Sequence, residues 1–92
     1  MIIYAEVECV LYEGNSLKSK RSLLKRIIHK IRNELNVSIS EIDYQNLWQR
    51  IKFGIVTVSN EKVHAEKVIQ QALAIIDSFP ELERTITEIE QI

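Results

Sequence analysis

Residues 2–12, IIYAEVECVLY, alternate between two sets of side chains. Ile3, Ala5, Val7, Cys9 and Leu11 form one set; Tyr4, Glu6, Glu8, Val10 and Tyr12 form the other. A period of two demands a strand with one buried face, because a slip of one residue would carry both glutamates into the core. The period then changes. Glu13-Gly14-Asn15-Ser16 is turn chemistry, with Asn15 or Ser16 suited to cap a helix. Leu17, Leu24, Ile27, Ile28, Ile31 and Leu35 follow at helical spacing, and Asn36 is able to take the left-handed conformation that stops a helix. Strand patterns return at 37–43 and at about 48–59. A second helix fits 61–78, capped by Ser59 or Asn60, with Ala65, Val68, Ile69, Ala72, Leu73, Ile76 and Phe79 on its apolar face. Pro80 ends it, and a last strand fits about 83–91. The order β-α-β-β-α-β most simply closes as an α+β two-layer sandwich. A four-stranded antiparallel sheet then carries both helices on one face and leaves the other face open.

Ninety-two residues form one domain, 1–92, with room for a single modest core. The lone Cys9 excludes an intrachain disulfide and a multi-thiolate zinc site. One cysteine and the lack of a secretory pattern fit a cytoplasmic setting, since Glu6 and Glu8 break the apolar start. No run of residues is long and apolar enough to be read as a membrane-spanning helix.

Charge is distributed unevenly. SLKSKRSLLKRIIHKIR, residues 16–32, holds seven Lys or Arg and no acid, in a chain of formal net charge -1. On a helix, Lys18, Arg21, Lys25, His29 and Arg32 fall in one row, roughly 21 Å long at about 1.5 Å per residue. Solvated helices usually interleave Glu with Lys, and like charges one turn apart repel. Lys18, Lys20 and Arg21 also stand at the helix start, where the backbone dipole disfavours cations. A polyanion would relieve both penalties, so Lys18, Lys20, Arg21, Lys25, His29 and Arg32 are the expected nucleic-acid contacts. The competing account neutralises this row with Glu61, Glu66 and Asp77 of the second helix, or with Glu81, Glu83, Glu88 and Glu90, in the same chain or in a partner copy.

Tyr44, Trp48 and Arg50, in the segment YQNLWQR, are the types enriched where partners dock. The alternative has Leu47 and Trp48 plugging the end of the core. On the open sheet face Tyr4, Glu6, Glu8 and Val10 are expected beside Lys52, Gly54, Val56 and Val58. Two central carboxylates disfavour RNA there, Lys52 is placed to pair with one of them, and the valines suit a homodimer contact. No catalytic set emerges: Cys9 belongs to the core, and His29 and His64 lie on different helices without metal-ligand spacing. No cofactor is implied. An enzyme acting on phosphorylated substrates would need a pocket joining residues 13–20 to Asn60.

The run SLKSKRSLLKRIIHKIRNELNVSISEID, with the following LWQR and VSN, resembles the YlxP-like family. This is a small bacterial family of unknown function, and the likeness extends over about residues 2–90. The resemblance implies a ferredoxin-like fold. The family's genes often neighbour those for transcription termination, translation initiation and ribosome maturation, which implies an RNA or ribosomal context. It supplies no catalytic residues. The expectation is a non-enzymatic domain that binds RNA or a ribonucleoprotein, the rival being a protein-interaction module for an acidic partner.

Overall fold

A computed structural model describes residues 1–12 and 16–92. The elements are β1 (Ile2–Leu11), α1 (Leu17–Glu34), β2 (Ser38–Asp43), β3 (Arg50–Val58), α2 (Lys62–Asp77) and β4 (Leu82–Gln91). The strands form one antiparallel sheet in the order β2-β3-β1-β4. Both helices cover one face. The turn residues Glu13, Gly14 and Asn15 lie outside the described residues.

The alternation in β1 places Ile3, Ala5, Val7, Cys9 and Leu11 on the helix-covered face, all buried. Ile51, Phe53 and Ile55 of β3 and Ile39 of β2 share that face. Leu23, Leu24, Ile27 and Ile31 of α1 and Ala65, Ile69, Ala72, Leu73 and Ile76 of α2 close over them as a single core. Small residues at Ala65 and Ala72 let α2 approach the sheet closely. Burial of this apolar surface, at about 25 cal/mol per Å², is the main term holding the two layers together.

The helix ends follow capping chemistry with two departures. Ser16 caps α1, its Oγ accepting from the Ser19 N–H at 3.2 Å. The helix stops at Glu34 because Leu35 is extended, at φ -130°. Asn36 takes no left-handed turn; its carbonyl accepts the buried Thr57 hydroxyl at 2.9 Å. The cap position of α2 is Glu61, neither Ser59 nor Asn60, and no side chain caps it. Ser59 Oγ instead accepts from the Glu61 N–H one step earlier, at 3.1 Å. A hydroxyl two residues before a backbone donor makes a tight turn as readily as a cap.

Topology holds the described ends of the proposed phosphate pocket apart. Ile2 pairs with Val58 and Val10 with Arg50, so β1 carries Leu11 and Tyr12 to one end of the sheet and β3 delivers Asn60 to the other. Ten residues at about 3.3 Å each separate the two ends by roughly 30 Å.

Candidate nucleic-acid interface

The seven cations of α1 have separate fates. Lys20 leaves the expected set: its side chain is 1% exposed. Nζ donates to the Tyr44 and Leu47 carbonyls, each at 2.6 Å, and stands 2.8 Å from Glu41 Oε2. That oxygen is buried and lies out of line for a hydrogen bond, so the pair is Coulombic. Lys20 therefore ties the first turn of α1 to the β2–β3 connection and is closed to a ligand. The signal was present in the sequence. Lys20, Leu24, Ile27 and Ile31 are spaced four, three and four, which puts Lys20 on the buried stripe. Two other cations are neutralised at the surface: Arg26 pairs with Glu81 at 2.7 Å and lies over the Phe79 ring, and Lys30 pairs with Glu34 at 2.8 Å. The Arg26 guanidinium holds the Glu81 carboxyl below its ordinary pKa.

Lys18, Arg21, Lys25 and Arg32 have no carboxylate at ion-pair distance among the described residues. All four are exposed. Arg32 makes one neutral contact, donating to the Ile39 carbonyl on edge strand β2 at 3.0 Å. His29 is exposed and, among the described residues, bonds only Asn33, at 3.0 Å. The acids expected to neutralise the row include two that are occupied elsewhere: Asp77 grips Arg84 through two contacts of 2.7 and 2.9 Å, and Glu83 accepts from Tyr12.

Between α1 and β2 runs a groove of about 770 Å³. Arg21, Lys25, Arg26, His29 and Arg32 line its helix side, Ser40 and Glu41 its strand side, and Leu24 and Ile28 supply apolar surface. It exists because α1 packs against the sheet through Ile27 and Ile31 and leaves its next face standing beside β2, an edge strand paired only with β3 among the described residues.

Two residues of the segment expected to meet partners, Tyr44 and Arg50, lie against Glu8 of the open sheet face, and Arg50 stays 47% exposed. The Tyr44 hydroxyl donates to Glu8 at 2.6 Å, and the Arg50 guanidinium lies 4.0 Å over the Tyr44 ring while contacting Glu8 at 3.3 Å. That hydrogen bond raises the Tyr44 pKa, because the Glu8 carboxylate favours the protonated phenol. Tyr44 takes a left-handed backbone, φ 63°, a conformation that costs a non-glycine residue on the order of 1 kcal/mol. Its hydroxyl, its ring and its Lys20-bound carbonyl all hold it there. Trp48 is half-buried, but Leu47 is 48% exposed and does not plug the core.

The open sheet face has the expected members. Glu8 stands opposite Lys52, Glu6 opposite Gly54 and Tyr4 opposite Val56. Lys52 pairs with Glu6 at 3.2 Å, and Tyr4 donates to the same carboxylate at 2.9 Å. The tyrosine hydroxyl and then the ammonium hold the Glu6 pKa below its ordinary value. Gly54 has a steric purpose: a Cβ there would meet Ile42 Cγ2 at 3.0 Å and the Tyr4 hydroxyl at 3.2 Å. From β4 this face also receives Ile86, Glu88 and Glu90, opposite Glu8, Glu6 and Tyr4.

Residues 2–89 match the family model described as "Protein of unknown function (DUF503)". The chain belongs to that family. It is 58% identical over 90 residues to the uncharacterized protein YlxP of Bacillus subtilis (strain 168), covering 98% of each chain. Among solved structures it is similar to a structural-genomics protein, YJCS (TM-score 0.65, 9% identity, 100% of this chain and 99% of that one). It is also similar to a point mutant of SnoaB, a cofactor-independent oxygenase from Streptomyces nogalater (0.64, 8%, 99% and 92%). A third likeness is to a de novo designed protein with a ferredoxin fold (0.61, 13%, 100% and 87%). At these identities the structural likenesses establish the ferredoxin-like fold and nothing about chemistry.

Proposed function

We propose that this member of the DUF503 family is a non-enzymatic RNA-binding domain, acting in the cytoplasm on RNA or a ribonucleoprotein through the outer face of α1 and the groove beside it. One observation carries the reading: of the seven α1 cations, the four in the helical row, Lys18, Arg21, Lys25 and Arg32, are the ones that lack a carboxylate partner among the described residues, and three of them line the groove. The described acids leave these unmatched, at a cost in helix self-repulsion that a bound polyanion removes. Phosphate contacts of this kind fix position and orientation and give an affinity that falls with salt.

The protein-interaction alternative has one structural obstacle at this site. A peptide adding as a strand to β2 would need the Ile39 carbonyl that Arg32 already occupies. A homodimer through the open sheet gains little from electrostatics. Glu6, Glu8, Glu88 and Glu90 outnumber Lys52 and Arg50 there, and a two-fold axis would bring two such acidic faces together.

The test is binding of short fluorescent RNA across a salt series. Neutralising four phosphates on a single strand gives a log–log slope of roughly -2.8, at about -0.7 per contact. Arg21→Ala with Lys25→Ala should flatten that slope by about 1.4 and weaken binding. Unchanged affinity in the double variant would overturn the reading. Capture of an acidic protein that survives ribonuclease treatment would support the rival.

A further inference from the structure

Glu41 is a group that a purely phosphate-binding groove has no use for. It stands on the strand side, facing the cations of α1 across the apolar strip of Leu24 and Ile28. One oxygen, Oε2, is committed electrostatically to Lys20 at 2.8 Å, and neither oxygen takes part in a hydrogen bond among the described residues. The side chain is 11% exposed, so its remaining acceptor capacity opens narrowly, and it lines the groove. A carboxylate there repels phosphate. The backbone of a bound strand would therefore keep to the outer wall, along Lys18, Arg21 and Lys25, while the strand side of the groove meets something that donates a hydrogen bond.

Resting on the RNA reading above, we infer that the groove takes a single RNA strand with one base turned inward over Leu24 and Ile28, and that Glu41 accepts a hydrogen bond from that base's exocyclic amine. Cytosine, adenine and guanine present such an amine. Uracil presents two carbonyl oxygens flanking its one N–H, and both repel the carboxylate. A charge-assisted bond of this type is short and strong, and carboxylates pair with base amines for this reason. A duplex is excluded because its amines are already paired and its major groove is too deep and narrow for the strand side to reach. The groove thus adds base selection to a helix face that by itself would read only charge.

The experiment compares ten-residue oligo-C, oligo-A and oligo-U RNA, and a blunt RNA duplex, by fluorescence anisotropy at one salt concentration. Oligo-C and oligo-A should bind at least about fivefold tighter than oligo-U, the lower end of what one specific base contact supplies. Each should also exceed the duplex. Glu41→Gln replaces the carboxylate with an amide that both donates and accepts, so the preference should collapse toward unity while oligo-U binding is kept or improved. Retained oligo-U binding also shows that the variant is folded. Equal affinity of the wild-type protein for oligo-C, oligo-A and oligo-U overturns the inference with no variant needed. So does a preference that survives Glu41→Gln, or a duplex that binds as well as the single strands. Binding of no RNA at all overturns the RNA reading itself, which separates the two failures.

Discussion

Replacing Lys20 with methionine separates two roles that the same residue type plays on α1. Were Lys20 one more cation facing a ligand, its loss would relieve an unfavourable charge at the helix start and raise stability by about 0.3–1 kcal/mol. Its burial reverses the sign. Methionine matches the length of the aliphatic stem, so packing is largely kept. It nonetheless strips the Tyr44 and Leu47 carbonyls of their 2.6 Å donors and leaves Glu41 beside an apolar group. Breaking a buried ion pair from one side costs about 3–5 kcal/mol. Glu41 keeps a narrow opening to water, so the lower figure, about 3 kcal/mol, is expected. For a domain of this size that lowers Tm by about 12–24 °C, at 4–8 °C per kcal/mol. The assay is urea and thermal denaturation followed by far-ultraviolet circular dichroism. Removing Glu41 as well, as Lys20→Met with Glu41→Met, should recover part of the loss, because the uncompensated charge is gone. Below the melting transition, Lys20→Met should leave the salt slope of RNA binding where it was. A loss under about 1 kcal/mol, within the range of an ordinary surface change, would refute the assignment of Lys20 as a tie between α1 and the β2–β3 connection. So would a slope flattened as much as by Arg21→Ala.

Two further outcomes test the core and the open face. Burial pushes the Cys9 thiol pKa up to about 12, so iodoacetamide under mildly alkaline conditions should leave the native protein unlabelled and modify it only in urea; rapid labelling of native protein would contradict the packing of β1. Glu6 and Glu81 both titrate below the ordinary glutamate value in the folded protein, Glu6 through Tyr4 and Lys52, Glu81 through Arg26. Their contribution to stability is therefore complete above the ordinary carboxylate range and is lost as pH falls through and below it. Urea midpoints should fall as pH drops below about 5, and less steeply in a Lys52→Met, Arg26→Met variant.

Much of the candidate site was legible in residues 16–32, because helical periodicity alone sorts Lys18, Arg21, Lys25, His29 and Arg32 onto one row. The groove was not legible. It depends on β2 lying at the sheet edge, outside β3, which puts Ser40 and Glu41 beside that row, and no local pattern records strand order. Tyr44, Trp48 and Arg50 stood out by composition as a docking segment. Their residue types could not show that Tyr44 and Arg50 fold back on Glu8, 36 and 42 positions earlier in the chain.

Periodicity and turn chemistry were sufficient for the element order, the buried set on each strand and the two-layer architecture, since those follow from interactions between residues close in the chain. Which charges are free was decided only by tertiary structure. A lysine and an arginine one residue apart, Lys20 and Arg21, differ by about 100° around the helix. That angle places one beneath a loop with two carbonyls and a glutamate, and leaves the other facing water. Electrostatic pairing acts over a few ångströms in space, and the chain brings Glu41, Tyr44 and Leu47 within that range of Lys20 only after the sheet has formed.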